Sequence, residues 1–81
     1  LADGDAGLFA ALKELRLSIA RERGVPAYVV FQDRALLDMA RRKPRNESEF
    51  AEVFGVGKAR LRDFSAPFLD LIAEYPAGGD G

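Results

Sequence analysis

The chain has no cysteine and no histidine. Without cysteine there can be no disulfide and no thiolate metal site. Without histidine the usual general base and the commonest metal ligand are missing. No apolar run approaches the roughly 18 residues needed to cross a bilayer, and no signal-peptide pattern is present, so an intracellular location is expected. An excess of one charge is lacking as well, because 12 basic and 13 acidic residues leave a net charge of −1. That balance argues against strong nonspecific nucleic-acid binding, which usually shows as a clear basic excess. Catalysis finds little support. Asp33 with Asp38, and Glu49 with Glu52, are acid pairs at spacings common on solvated helix faces.

What is present describes one small domain. The 81 residues are 48% hydrophobic and 31% charged, an ordinary soluble globular composition. A core can form, with a net stability of only a few kcal/mol. Residues 1–7 and 76–81 are rich in glycine and aspartate and read as a linker and a flexible tail around a folded stretch 8–75. That arrangement suits a module of a longer protein.

Leu8, Leu12, Leu15 and Ile19 follow helical spacing, which predicts a helix from about 7 to 23 ending at Gly24. Val25–Phe31 has β-branched content but no partner strand, and reads as an irregular or short helical connector. Asp33 can cap the next helix, with Leu36, Leu37 and Ala40 inward and Met39 alongside, up to Pro44. Asn46 can cap a third helix, with Glu49 closing a capping box and Phe50, Val53 and Phe54 on the apolar face. Leu61, Phe64, Phe68, Leu71 and Tyr75 recur at 3, 4, 3 and 4. Pro67, with Ser65 as a cap, predicts a kink or break there. The fold class is all-α, a compact bundle of four or five short helices. Leu12, Leu15, Ile19, Leu36, Phe54, Leu61, Phe68 and Ile72 form the expected core.

Charge is uneven along the chain. Arg41, Arg42, Lys43 and Arg45 fall within five positions, and Lys58, Arg60 and Arg62 form a second group. The first group closes a helix, where cations meet the dipole favourably; phosphate binding is the alternative. Gly55-Val56-Gly57-Lys58 lacks the spacing and the Ser/Thr of a P-loop. It is similar to the start of a helix-hairpin-helix, whose Gly-apolar-Gly turn aims backbone N–H groups at a phosphate. Leu61 departs from that motif, which keeps a small residue there, and a plain helix-to-helix turn is the other reading. Acids cluster at Glu47, Glu49 and Glu52, with Asp70 and Glu74 near the end. They offer a protein-docking face, or simply favour the helix dipole.

Three blocks carry a family resemblance: Leu15-Arg16-Leu17-Ser18-Ile19-Ala20, then Val25-Pro26-Ala27-Tyr28-Val29-Val30-Phe31, then Phe54-Gly55-Val56-Gly57-Lys58. In that order, over roughly residues 8–75, they resemble the helicase-and-RNase-D C-terminal (HRDC) domain, most closely that of bacterial RecQ helicases. The resemblance implies an auxiliary domain without catalysis or a cofactor of its own, beside a motor that hydrolyses ATP. It implies weak binding of single-stranded or branched DNA in repair and recombination, contact with the parent helicase core, and a cytoplasmic, nucleoid-associated setting in a bacterium. An isolated monomer without membrane contact is expected. A ribonuclease D-type parent shares the fold. In the resembled domain a tyrosine at the place of Tyr28 contributes to single-strand binding; a core position beside Val29, Val30 and Phe31 is the alternative. Arg41, Arg42, Lys43, Lys58 and Arg60 complete the candidate DNA ligands, though family members carry their basic residues at differing places.

Overall fold

The computed structural model describes residues 3–75, with side chains from Asp5 onward. Five helices follow one another: α1 Asp3–Arg23, α2 Ala27–Val30, α3 Asp33–Arg42, α4 Glu47–Phe50 and α5 Lys58–Ala73. No strand occurs among the described residues. Helix α1 packs on α2, α3 and α5, and α4 packs on α5.

Helix α1 starts at Asp3, earlier than the residue near 7 that the sequence suggests, so residues 3–7 are helical. Asp5 within that extra turn forms an ion pair with Lys43 at the far end of α3. The expected tail at 76–81 lies outside the described residues. The leucine stripe faces the core, with Leu8 and Leu12 fully buried, whereas Leu15 and Ile19, expected in the core, are only partly buried against it. The helix ends in a Schellman motif. Gly24 takes φ +67°, Val25 N–H donates to the Ala20 carbonyl at 3.0 Å, and Gly24 N–H donates to Arg21 at 3.3 Å. Only glycine takes that left-handed conformation without strain.

The Val25–Phe31 connector resolves into one helical turn, α2, entered through Pro26 and left through an extended Phe31. Phe31 is the hub of the core. Its ring meets those of Phe68, Phe64 and Phe50 edge-on at centroid distances of 5.0, 5.8 and 6.1 Å. Such geometry adds about 0.5–1.5 kcal/mol per pair to the area buried.

Four local expectations need correction. Asp33 is not the α3 cap; Gln32 holds that position without a side-chain bond, and Asp33 is the first helical residue. Its carboxylate accepts from Arg16 at 2.7 Å, a partner 17 positions away that local reading cannot see. Leu37 is only half-buried, while Ala35 joins Leu36, Met39 and Ala40 in the core. Phe54 is 40% exposed rather than core. Helix α4 ends at Phe50 and the chain bends through 51–54, so the helical period that would carry Phe54 inward stops with Val53. Helix α5 runs unbroken through Pro67, and Ser65 is a buried interior residue instead of a cap. Pro67 stands on the exposed side, where water can satisfy the carbonyl that its missing N–H leaves free. Of the expected core, Leu12, Leu36, Phe68 and Ile72 are buried and Leu61 is partly so.

Asn46 caps α4 as expected, its Oδ1 accepting from Glu49 N–H at 2.9 Å. Glu49 reaches back one residue beyond the cap and accepts from Arg45 N–H at 2.8 Å.

Candidate nucleic-acid interface

The site is built where α2 meets the first turn of α5. Arg60 donates from Nε to the Val30 carbonyl at 2.8 Å and from Nη2 to the Val29 carbonyl at 3.1 Å. Nη1 reaches the Gly55 carbonyl at 3.5 Å. The Val29 and Val30 carbonyls are orphans of a one-turn helix, which has no following turn to donate N–H groups to them. Arg60 thus binds α2 to the glycine turn. On the other side Arg16, largely buried, donates to the Phe31 carbonyl at 3.0 Å. Two arginines therefore clamp the segment around Phe31. In the sequence Arg16 stands out only as part of the first resemblance block, and Arg60 only as a candidate DNA ligand.

The clamped turn presents Tyr28 outward at 64% exposure, with Val29 also exposed. This rules out the core position for Tyr28. The neighbouring Val29 lines a groove of about 530 Å³ with Arg23, Val25, Val30, Ala59, Arg60, Asp63 and Phe64.

In the turn itself Gly55 takes φ +78°, the left-handed region, and a Cβ there would meet Ala35 at an ordinary 3.8 Å. Gly57 differs. Its φ of −90° and ψ of −179° suit any residue, and a Cβ there would meet nothing within 4 Å. The fold does not demand glycine at 57. Its absent side chain leaves the N-terminal turn of α5 open, where N–H groups have no intrahelical acceptor. Lys58 follows, exposed, and adds positive charge to the positive end of the dipole.

The other basic candidates have different surroundings. Arg42 donates to both oxygens of Asp38, at 3.1 and 3.0 Å. Lys43, in the left-handed conformation at φ 46°, is held by Asp5. Arg41 is exposed and, like Lys58, takes no ion pair among the described residues. Arg60 bonds the carbonyl of Val29, next to Tyr28, while Arg41 and Arg42 line a cleft on α3.

Two residues of that cleft were missed as site candidates, Arg34 and Phe54. The Arg34 guanidinium lies over the Phe54 ring, 4.2 Å from its centroid. The available signal was an aromatic residue just before a glycine turn, after a helix too short to bury it.

Of the acids, Glu47, Glu52, Asp70 and Glu74 are exposed and take no ion pair among the described residues, whereas Glu49 serves the α4 start. Asp63 bonds Arg62 at 2.9 Å, and that hydrogen bond holds its carboxyl below the usual aspartate value while raising the guanidinium. No three acidic side chains among the described residues gather to hold a metal ion. No helix among them is long and apolar enough to cross a membrane.

Known proteins share this fold. The family model described as the HRDC domain matches residues 5–72. The ATP-dependent DNA helicase RecQ of Haemophilus influenzae is 40% identical over 77 residues, which is 95% of this chain and 12% of that protein. The ATP-dependent DNA helicase UvrD2 of Mycobacterium tuberculosis is 38% identical over 71 residues, 88% of this chain and 10% of that protein. A solved structure, D. radiodurans RecQ HRDC domain 3, superposes with a TM-score of 0.83 at 40% identity, covering 86% of this chain and 92% of that one. The chain thus spans about an eighth of the length of the RecQ helicase and a tenth of that of UvrD2.

Proposed function

This chain belongs to the HRDC domain family, and on that premise we propose that it is a non-catalytic auxiliary domain of a RecQ-type ATP-dependent DNA helicase. In this reading it holds DNA with single-stranded parts while a separate motor hydrolyses ATP.

The observation that carries the reading is the exposed Tyr28, set on a clamped turn beside the open start of α5. A tyrosine ring offers a base a flat apolar face. Stacking of this kind contributes about 1–3 kcal/mol per base and tolerates any sequence. Phosphates would be met by Lys58 and by the free N–H groups that Gly57 leaves uncovered. Arg60 contributes chiefly by fixing the shape of this surface, since its guanidinium already serves three carbonyls. With so few open cations, binding is weak and easily screened.

Fluorescence titration of a labelled single strand at two salt concentrations tests the mechanism. Affinity should fall as salt rises, and Lys58→Ala should flatten the dependence by about one released ion. Affinity indifferent to salt would contradict phosphate contact.

A second reading has its own observation. Glu47, Glu52, Asp70 and Glu74 are exposed acids without ion pairs among the described residues, and they suit docking on a basic partner surface such as the helicase core. Charge reversal at Glu47, Glu49 and Glu52 would then alter how the intact helicase selects its DNA, with ATP hydrolysis retained.

A further inference from the structure

We infer that the cleft between α3 and the bend before Gly55 is a second single-stranded DNA subsite, holding one base against the Phe54–Arg34 pair and its phosphate on Arg41. The inference rests on the DNA-binding reading above and adds to it a site that Tyr28 does not share.

Three observations converge on this cleft. Its volume, about 440 Å³, falls within the usual size range of small-ligand pockets. Phe54 stands 40% exposed on its wall, with Arg34 stacked over the ring at 4.2 Å. A guanidinium over an aromatic ring is a flat, weakly hydrated cation, a surface that receives nucleobases. The backbone fixes the ring in place: Phe54 N–H donates to Asp38 Oδ2 at 2.9 Å, and Asp38 is in turn held by Arg42.

Charge in the cleft is divided in a way that orients a nucleotide. Asp38 is neutralised by Arg42, which leaves Arg34 and Arg41 as uncompensated cations and Glu52 as an uncompensated anion. Arg41, with no acid partner among the described residues, is the group open to a phosphate. Glu52 repels a phosphate but accepts a hydrogen bond from an amine on a base edge. Cytosine, adenine and guanine carry such an exocyclic amine, whereas thymine offers only its ring N3–H, flanked by two carbonyl oxygens that the Glu52 carboxylate repels. The cleft should therefore favour cytosine over thymine, a bias that stacking on Tyr28 alone would not give.

The test is fluorescence anisotropy of labelled oligo-dC and oligo-dT at low salt with the 81-residue chain. Phe54→Leu, which keeps an apolar side chain but removes the ring, should weaken binding by about fivefold or more. Arg41→Ala should weaken it by about threefold and reduce the salt slope by about one ion. Glu52→Gln should reduce the preference for dC over dT, chiefly by strengthening dT binding as the charge that repels phosphate is removed. Thermal melting accompanies each variant. If Phe54→Leu proves unstable, the exposed Arg41 and Glu52 variants decide. Full-strength binding by Phe54→Leu and Arg41→Ala, with Tyr28→Ala still weakening it, overturns this subsite and leaves the DNA reading standing. Absence of any binding by the unmodified chain at low salt overturns both.

Discussion

Tyr28 and Phe31 stand three residues apart in one apolar stretch, and the fold treats them oppositely. Phe31 is 1% exposed and touches three other phenylalanine rings. Tyr28 is 64% exposed. The cause is the backbone. One turn of helix followed by an extended residue directs Val30 and Phe31 inward and leaves Tyr28 and Val29 outside. The difference separates two roles. A ring held by other rings is required by the fold. A ring that the fold leaves out, on a turn fixed by two arginines, is available for a ligand.

Removing the inner ring should have the largest effect. Phe31→Ala should cost about 3–5 kcal/mol, because the cavity would lie among three rings that cannot all close on it. A domain of this size rarely has more than about 3–5 kcal/mol in total. Urea denaturation followed by circular dichroism should find the variant largely unfolded in buffer. A stable, folded Phe31→Ala would show that the aromatic cluster is not the centre of the core.

The clamp comes next. Arg60→Ala would leave the Val29 and Val30 carbonyls without their donor, at a cost of about 1–3 kcal/mol in urea denaturation. Arg60→Lys should recover only part of this, since one ammonium cannot span the carbonyls that a guanidinium fork bridges. An Arg60→Ala variant of unchanged stability would return Arg60 to the phosphate-binding role that its position in the sequence suggests.

The same contrast explains what was legible in the sequence. The helices were, because leucine and phenylalanine spacing, Gly24, Pro44 and the Asn46 cap are local signals and the structure keeps each of them. That Val25–Phe31 is a connector and not a strand follows from the lack of any partner strand, and the structure makes one helical turn of Ala27–Val30. What escaped depends on distant partners. Asp33 suits a cap by residue type, yet Arg16 draws its carboxylate away. Phe54 continues a helical period in the sequence, yet the helix stops at Phe50. Arg16 and Arg60 look like ordinary surface cations until the carbonyls of Val29, Val30 and Phe31 are placed beside them. The candidate site was legible as residue types only. The fold brings Arg60 onto the turn that carries Tyr28, and Arg41 and Arg42 line a cleft on α3.

The smallest expected effect lies on the exposed side of α5. The hydrogen bond from Arg62 depresses the Asp63 carboxyl. A carboxyl whose folded pKa is depressed stabilises the fold above its unfolded value, near 3.9, and loses that contribution as pH falls through the lower folded value. Because the pair is exposed, the gain is slight and screened by salt. A carboxyl-detected NMR titration should find Asp63 titrating below an ordinary aspartate, and Arg62→Ala should return it toward the usual value. An unchanged titration would remove the pair from the account.

The most direct test of the division between the two rings is Tyr28→Ala, measured twice on the same protein. Urea denaturation should show a change within about 0.5 kcal/mol, as for an exposed side chain. Single-strand binding by anisotropy should weaken by about fivefold or more, the loss of one stacked base. A variant that loses stability instead, or that binds single-stranded DNA as tightly as the parent chain, would contradict the account.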